Sequence, residues 1–306
     1  MAAFVFPGQG SQVIGMGKDF YDNFDEVKCL YDEASETLGY DVAGLSFTGP
    51  ADELNRTYRT QPCLLVASIA AFTALGLKGV KPSAVAGHSL GEYSALVAAG
   101  SISFADAVRL TEMRGRIMQE AVPAGKGLMA AILGIDRGVI DALCKGIDSG
   151  YVSVANYNCP GQIVVSGEKH AVESLLAKAK EAGAKRAIPL AVSVPSHCAL
   201  MEDAGRKFEE ILKDFRISDA VLPFVNNVDA RFISDAGEIR SSLVRQLSQS
   251  VLWEDCISAI AAKGLKTFIE VGPGKVLSGL VKRIEASAVI FNVENMESLD
   301  KTLSGL

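Results

Sequence analysis

The chain is poor in the residues from which metal and disulfide sites are made. Its six cysteines (Cys29, Cys63, Cys144, Cys159, Cys198, Cys256) are scattered and include no C-x-x-C pair. Its three histidines, His88, His170 and His197, show no metal-ligand spacing. No bound metal is expected, and the thiols are read as reduced and buried in a reducing compartment. There is no excess of positive charge: 30 Lys and Arg against 36 Asp and Glu give a formal net charge of -6. A nucleic-acid partner is therefore not expected. The longest apolar run, Leu64 to Leu77, contains Ser68 and Thr73 and falls short of the roughly 20 residues that a membrane span needs. The opening residues, Met1 to Pro7, lack a basic region and a small-residue cleavage site. These absences point to a cytoplasmic protein that neither enters nor crosses a membrane. What is present, 49% hydrophobic and 22% charged residues, is the composition of an ordinary folded enzyme.

At 306 residues the chain exceeds the length at which one hydrophobic core usually stops growing, so a large and a smaller domain are expected. Ala3 to Phe6 reads as a short apolar strand ending at Pro7 and Gly8. Pro62 sits at a predicted helix N1 position, with a buried helix from Cys63 to Leu77. Ser83 to Ala86 reads as a second buried strand, and Leu90 to Ala99 as a helix closed by Gly100. Ser103 caps the next helix, with Asp106 at its third position, and that helix runs to Pro123. Strands alternating with helices imply a parallel sheet covered on both faces.

From Gly127 the pattern changes. Leu128 to Ile135 reads as a strand and Gly138 to Gly146 as a helix. Tyr151 to Ala155 and Gln162 to Ser166 form a hairpin across the turn-rich stretch 156–161. Ala171 to Ala182 is a helix and Ala187 to Ser193 a last strand. That βαββαβ order is ferredoxin-like. The expected fold is therefore α/β: a large α/β-hydrolase-like domain, residues 1–124 and 195–306, interrupted by a small ferredoxin-like domain, residues 125–194. Thr267 to Val271 and Val289 to Val293 add strands to the large domain.

The strongest chemical signal is Gly87-His88-Ser89-Leu90-Gly91, a G-x-S-x-G sequence between a predicted strand and a predicted helix. In that context it is a nucleophile elbow, with the Ser89 hydroxyl projecting from a sharp turn. The same corner puts the Leu90 N–H at a helix N-terminus, where it can donate to an oxyanion. A nucleophilic serine needs a base. His88 adjoins Ser89 in sequence and is expected to point away and pack. His170 opens a helix among Glu168, Lys169 and Glu173 and reads as a surface residue. His197 lies where the chain re-enters the large domain, a place that lines a cleft, so elimination selects it as general base.

Arg114 carries further information. On a helical wheel it falls within the apolar stripe of Ala107, Leu110, Ile117, Met118 and Ala121. Arg109 and Arg116 fall opposite, with Glu112 and Glu120, as solvated charges do. An inward guanidinium costs several kcal/mol unless it meets an anion. That anion is either a protein carboxylate or the carboxylate of a substrate held bidentately. Two other glycine-rich stretches do not amount to nucleotide sites. Gly8-Gln9-Gly10 lacks the third glycine of a dinucleotide loop, where Val13 stands, and Gly272-Pro273-Gly274-Lys275 lacks Walker spacing.

Taken in order, these stretches resemble the malonyl-CoA:acyl carrier protein transacylase family. Phe6–Gln12 (FPGQGSQ) is similar to its N-terminal signature, and Gly87–Tyr93 (GHSLGEY) to its nucleophile signature. Met113–Gly115, Ala155–Gln162 (ANYNCPGQ), Val194–His197 (VPSH) and Glu270–Lys275 (EVGPGK) complete the set over nearly the whole chain. The resemblance implies that Ser89 is acylated and His197 is its acid/base partner. Arg114 would grip the malonyl carboxylate, and the backbone N–H groups of Gln9 and Leu90 would form the oxyanion hole. A main-chain carbonyl near Gln246 would orient His197, and Asn158 would line the pocket. Ser250 departs from the family, whose members often carry proline before Val-x-Trp, and a looser turn beside Gln246 is expected from it.

The activity so implied is ping-pong transfer of malonyl from malonyl-CoA to the phosphopantetheine thiol of holo-acyl carrier protein, feeding fatty acid synthesis. It needs no bound cofactor, and a monomer is expected. Docking of an acidic carrier protein on an acidic chain calls for a local basic patch; Lys185-Arg186, Arg206-Lys207, Lys275 and Lys282-Arg283 are the candidates. A serine hydrolase or thioesterase would use the same elbow and histidine but would not need Arg114 inside. A non-catalytic scaffold could dispense with Ser89 or His197, and both are here.

Overall fold

The computed structural model describes residues 1–123, 125–190 and 194–306. Six strands form one sheet: β1 (Ala2–Phe6), β2 (Ala84–Gly87), β7 (Phe224–Val225), β8 (Phe232–Ile233), β9 (Thr267–Val271) and β10 (Val289–Val293), in the order β10-β9-β1-β2-β7-β8. All pairings are parallel except β7 with β8. The apolar strand β1 is buried throughout, because helices cover both faces of the sheet. Its side chains alternate between two cores: Phe4 and Phe6 join Val85, Leu90 and Tyr93 on one face. Ala3 and Val5 join Trp253, Ile257 and Phe268 on the other. Since β1, β2 and β9 run parallel, the loops that follow them meet at one sheet edge. Those loops hold Gln9, Ser89 and Gly272.

The second sheet comprises β3 (Gly127–Leu133), β4 (Val152–Cys159), β5 (Gln162–Glu168) and β6 (Arg186–Pro189), in the order β4-β5-β3-β6 with antiparallel pairs. Helices Arg137–Lys145 and Lys169–Glu181 connect them, so the order βαββαβ and the ferredoxin-like arrangement both hold. One face packs on those helices through Ala130, Ile132, Val165, Val172 and Leu175. The opposite face, with Met129, Asn156, Asn158 and Val164, looks into the cleft beside Ser89.

Two local expectations fail. The helix around Pro62 starts at Thr57 and runs to Leu77, with Pro62 inside it. Pro62 is the sixth residue of that helix, so the bond that its N–H would have made to Tyr58 O is forfeited. Thr60 Oγ1 donates to Leu54 O at 2.6 Å and to Arg56 O at 3.1 Å, closing the first turn. The extra turn brings Thr57 to the cleft, and Gln61 lies behind it against Arg114. By length and apolarity this helix could cross a membrane, but 78% of its apolar window is buried inside the protein. The second failure is the expected turn at 156–161: β4 continues to Cys159, and only Pro160 and Gly161 turn. The strand persists because its edge is paired: Val251 N–H donates to Ala155 O at 2.8 Å and Tyr157 N–H to Val251 O at 3.0 Å. The strand expected over Ala187 to Ser193 is observed from Arg186 to Pro189; Ala191, Val192 and Ser193 lie outside the described residues.

Candidate active site

Ser89 follows β2 and precedes the helix Gly91–Ala98, and its φ is 51°, the left-handed region that costs a non-glycine residue of order 1–3 kcal/mol. The turn is tight because both flanking glycines are crowded by backbone. A Cβ on Gly87 would stand 1.9 Å from Gly91 C, and one on Gly91 would stand 2.1 Å from Phe6 O. Asn227 laces the turn: its Oδ1 accepts from Ser89 N–H at 2.8 Å and its Nδ2 donates to Gly87 O at 2.7 Å. Gly91→Ala is expected to lower the unfolding free energy by about 3 kcal/mol or more. The denaturant midpoint, followed by circular dichroism, checks this; an unchanged midpoint would show that the elbow has room.

His197 also has a left-handed backbone, with φ 60°. Its Nε2 lies 2.8 Å from Ser89 Oγ, and its Nδ1 lies 2.7 Å from Gln246 O. A carbonyl can only accept, so Nδ1 carries the proton and Nε2 is left as the acceptor facing the serine. Burial, then the positive charge of Arg114, lowers the His197 pKa to about 3. The imidazole is therefore neutral and able to take a proton. With Ser250 beside it in place of proline, the Gln246 contact to His197 is made. Ser250 Oγ donates to Val154 O at 2.6 Å, anchoring that loop on β4.

Arg114 is 1% exposed, on the inward face of helix Phe104–Ala121 as its stripe predicts. Among the described residues it forms no ion pair. Its Nη1 donates to Gln61 Oε1 at 2.8 Å, and its Nη2 to Gln246 Oε1 at 3.0 Å and to Ser89 Oγ at 3.3 Å. Of the two anions considered for it, no protein carboxylate is in direct contact. The guanidinium is a buried cation held by neutral amides, one hydrogen bond from the nucleophile.

The other sequence-predicted residues converge on the same place. Gln9 lines the cleft, a cavity of about 270 Å³ shared with Ser89, Arg114, His197 and Asn158. Leu90 precedes the helix Gly91–Ala98, and among the described residues neither the Gln9 nor the Leu90 N–H donates a hydrogen bond. Gly8 brings the Gln9 loop over the elbow, where its Cβ would lie 2.4 Å from His88 O. His88 also lines the cleft, and its ring is held by other partners. Its Nε2 lies 2.9 Å from Asn158 Oδ1 and its ring meets the edge of Trp253 at 5.4 Å. His170 stays on the surface, 3.6 Å from Glu168. The Glu270–Lys275 stretch is no phosphate loop, because the helix N-terminus after it is already occupied. Glu270 Oε1 accepts from Leu277 N–H at 3.0 Å and Oε2 from Ser278 N–H at 2.7 Å.

Sequence reading missed Glu92, Asn227, Gln61 and the side chain of Gln246. Gln246 is the hub. Besides the carbonyl facing His197, its Nε2 donates to Ser89 O at 3.0 Å and to Glu92 Oε2. Glu92 was within reach: it is the one charge in the apolar run Leu90 to Ala99, the same signal that singled out Arg114.

Known proteins resemble this chain over most of its length. Residues 3–299 match the family described as acyl transferase domain. A protein of Salmonella typhimurium named malonyl CoA-acyl carrier protein transacylase is 54% identical over 284 residues, 92% of each chain. One of the same name from Bacillus subtilis is 48% identical, covering 99% of this chain and 96% of that one. The crystal structure of an acyl carrier protein S-malonyltransferase from Vibrio cholerae superposes with a TM-score of 0.96 at 47% identity, covering 98% of this chain and 99% of that one. A malonyl-transacylase solved in complex with a type II PKS acyl-carrier protein gives 0.97 at 48% identity, covering 99% of both chains. The chain belongs to the acyl transferase domain family and, within it, to the malonyl-CoA:acyl carrier protein transacylases.

Proposed function

We propose that this protein moves a malonyl group from malonyl-CoA to the phosphopantetheine thiol of acyl carrier protein through an ester on Ser89, supplying malonyl-acyl carrier protein for fatty acid synthesis. The observation that carries the reading is Arg114, a buried guanidinium that forms no ion pair among the described residues and lies 3.3 Å from Ser89 Oγ. It is placed to receive the free carboxylate of an acyl group whose other end is the reacting thioester.

In the first half-reaction Ser89 Oγ attacks the thioester carbonyl carbon while His197 Nε2 takes its proton. The N–H groups of Gln9 and Leu90 receive the oxyanion; one such donor contributes about 3 kcal/mol to the transition state. The C–S bond then breaks, and His197 returns the proton to the sulfur of departing coenzyme A. The thiol of the carrier protein enters the same cleft, gives its proton to His197 and attacks the Ser89 ester. Collapse of that second tetrahedral intermediate releases malonyl-acyl carrier protein and restores the serine. Gln246 O holds the His197 ring throughout, and Asn158 holds that of His88. Two units, residues 1–124 with 195–306 and residues 125–194, form the two walls of the cleft. No resident cofactor takes part, and a cytoplasmic monomer is sufficient for every step.

The carrier protein docks at the rim. Lys275 and Arg283 are exposed beside the cleft-lining Val276 and Gln162, where Arg283 Nη1 donates to Gln162 Oε1 at 2.8 Å. Lys275 also lies 3.6 Å from Glu294, and Arg206 is engaged by Asp203. A thioesterase reading shares Ser89 and His197 but gives no role to Arg114. Intact mass after mixing with malonyl-CoA separates the two. A malonyl adduct on Ser89 that passes to added holo-acyl carrier protein is the expected result. An adduct lost to water with the carrier untouched would make the protein a hydrolase, and no adduct would overturn the malonyl assignment.

A further inference from the structure

Among the described residues Glu92 is the one buried carboxylate joined to the acyl-carboxylate site, and the transfer steps above give it nothing to do. It is fully buried on the helix that begins at the elbow. Its Oε2 accepts from Gln246 Nε2 and from Asn227 N–H, the latter at 3.3 Å. Its Oε1 has no partner among the described residues. Gln246 in turn presents Oε1 to Arg114 Nη2 at 3.0 Å, so a single amide separates the carboxyl from the guanidinium. We propose that Glu92 is a positioning residue that sets how strongly Arg114 holds a carboxylated acyl group. Protonated, it leaves the guanidinium's charge to the acyl carboxylate; ionised, it competes for that charge across Gln246. The inference rests on the malonyl reading above.

Two anions near one buried cation repel each other, and the interior screens them weakly. Binding of the acyl carboxylate and ionisation of Glu92 must therefore oppose each other, and by linkage each weakens the other equally. Other groups around Glu92 hold their charge across the neutral range. Asp229 is gripped by Arg245 at 2.6 Å and 2.9 Å, which lowers its pKa to about 2. Burial raises the pKa of Cys256 on the helix Trp253–Ala262 and of Tyr93 beside Glu92. Strands β1 and β2, on which the helix packs, hold no titratable side chain. On helix Thr57–Leu77, Cys63 and Arg59 face Tyr40 and Glu112 instead. His197 stays neutral. Burial raises Glu92 itself to about 8, so of these groups it is the one that changes charge between pH 7 and 9.

The test is the KM for malonyl-CoA from pH 7 to 9.5 in the wild type and in Glu92→Gln. In the wild type KM is expected to rise as pH passes 8, approaching tenfold per unit at full antagonism, with no such rise for acetyl-CoA. In Glu92→Gln the KM for malonyl-CoA should stay flat. A residue that only packs would change kcat or stability and leave the pH slope in place, so an unchanged slope in Glu92→Gln overturns the proposal. If that variant fails to fold, calorimetry of malonyl-CoA binding to Ser89→Ala at pH 8.5, in two buffers of different ionisation heat, decides. Proton uptake with malonyl-CoA and none with acetyl-CoA supports it, and equal uptake overturns it. Failure to bind malonyl-CoA at any pH would instead sink the malonyl reading and this inference with it.

Discussion

His197→Ala is expected to slow formation of the acyl-serine by about 10⁴-fold, the scale on which a serine nucleophile depends on its base. Single-turnover loading from malonyl-CoA, read by intact mass, measures it. The wild-type loading rate should stay flat on the acid side down to about pH 5, because burial and Arg114 hold the His197 pKa at about 3. An acid limb near 6.5 would show that the imidazole is not held neutral. The same shift bears on stability. In the unfolded chain this histidine binds a proton below about 6.5, its unperturbed value, and in the fold it does not. Stability contributed by the neutral imidazole is therefore present above that value and is lost as pH falls toward 3. Acid should weaken the fold before it silences the base, so the flat region is read in short assays.

How much of this was legible in the sequence depends on whether the cause is local. The elbow was legible because its demands are local: two glycines, a strand before and a helix after. Strands β9 and β10 match their expected limits residue for residue, each a short run rich in β-branched and aromatic residues bounded by loops. Arg114 was found by its place in an apolar stripe, a one-dimensional signal of a three-dimensional burial. The helix start at Thr57 and the end of β4 were not legible. The helix start rests on a local side-chain bond, Thr60 to Leu54, that the proline signal masked, while the end of β4 is fixed by Val251, which pairs with the β4 edge some ninety residues before it.

The hub at Gln246 was beyond local reading for the same reason. Its backbone role followed only from resemblance, and nothing in the sequence around it marks a side chain that touches Ser89, Arg114 and Glu92 at once. Glutamine is ordinary in a helix, and its four contacts come from residues 19 to 157 positions away. Asn227 is similar: it lies in the loop after β7, yet it fixes both ends of the elbow.

The second large effect concerns Arg114. Arg114→Ala should cut malonyl loading of Ser89 by at least about a hundredfold, a loss of roughly 3 kcal/mol, which is what a charge-assisted bidentate pair in a dry site contributes. Acetyl loading should fall far less, because an acetyl group has no carboxylate for the guanidinium to hold. Removing the charge has two consequences, one confined to malonyl and one common to both substrates. The malonyl group loses its anchor, so its carbonyl no longer sits in line with Ser89 Oγ. His197 loses the positive neighbour that is the second cause of its low pKa and becomes a stronger base for either acyl group. The ratio of malonyl to acetyl loading, measured on one preparation, isolates the first effect because the second cancels in it. Equal losses for the two acyl groups would mean that Arg114 serves the fold, through Gln61 and Gln246, and that some other group reads the acyl carboxylate.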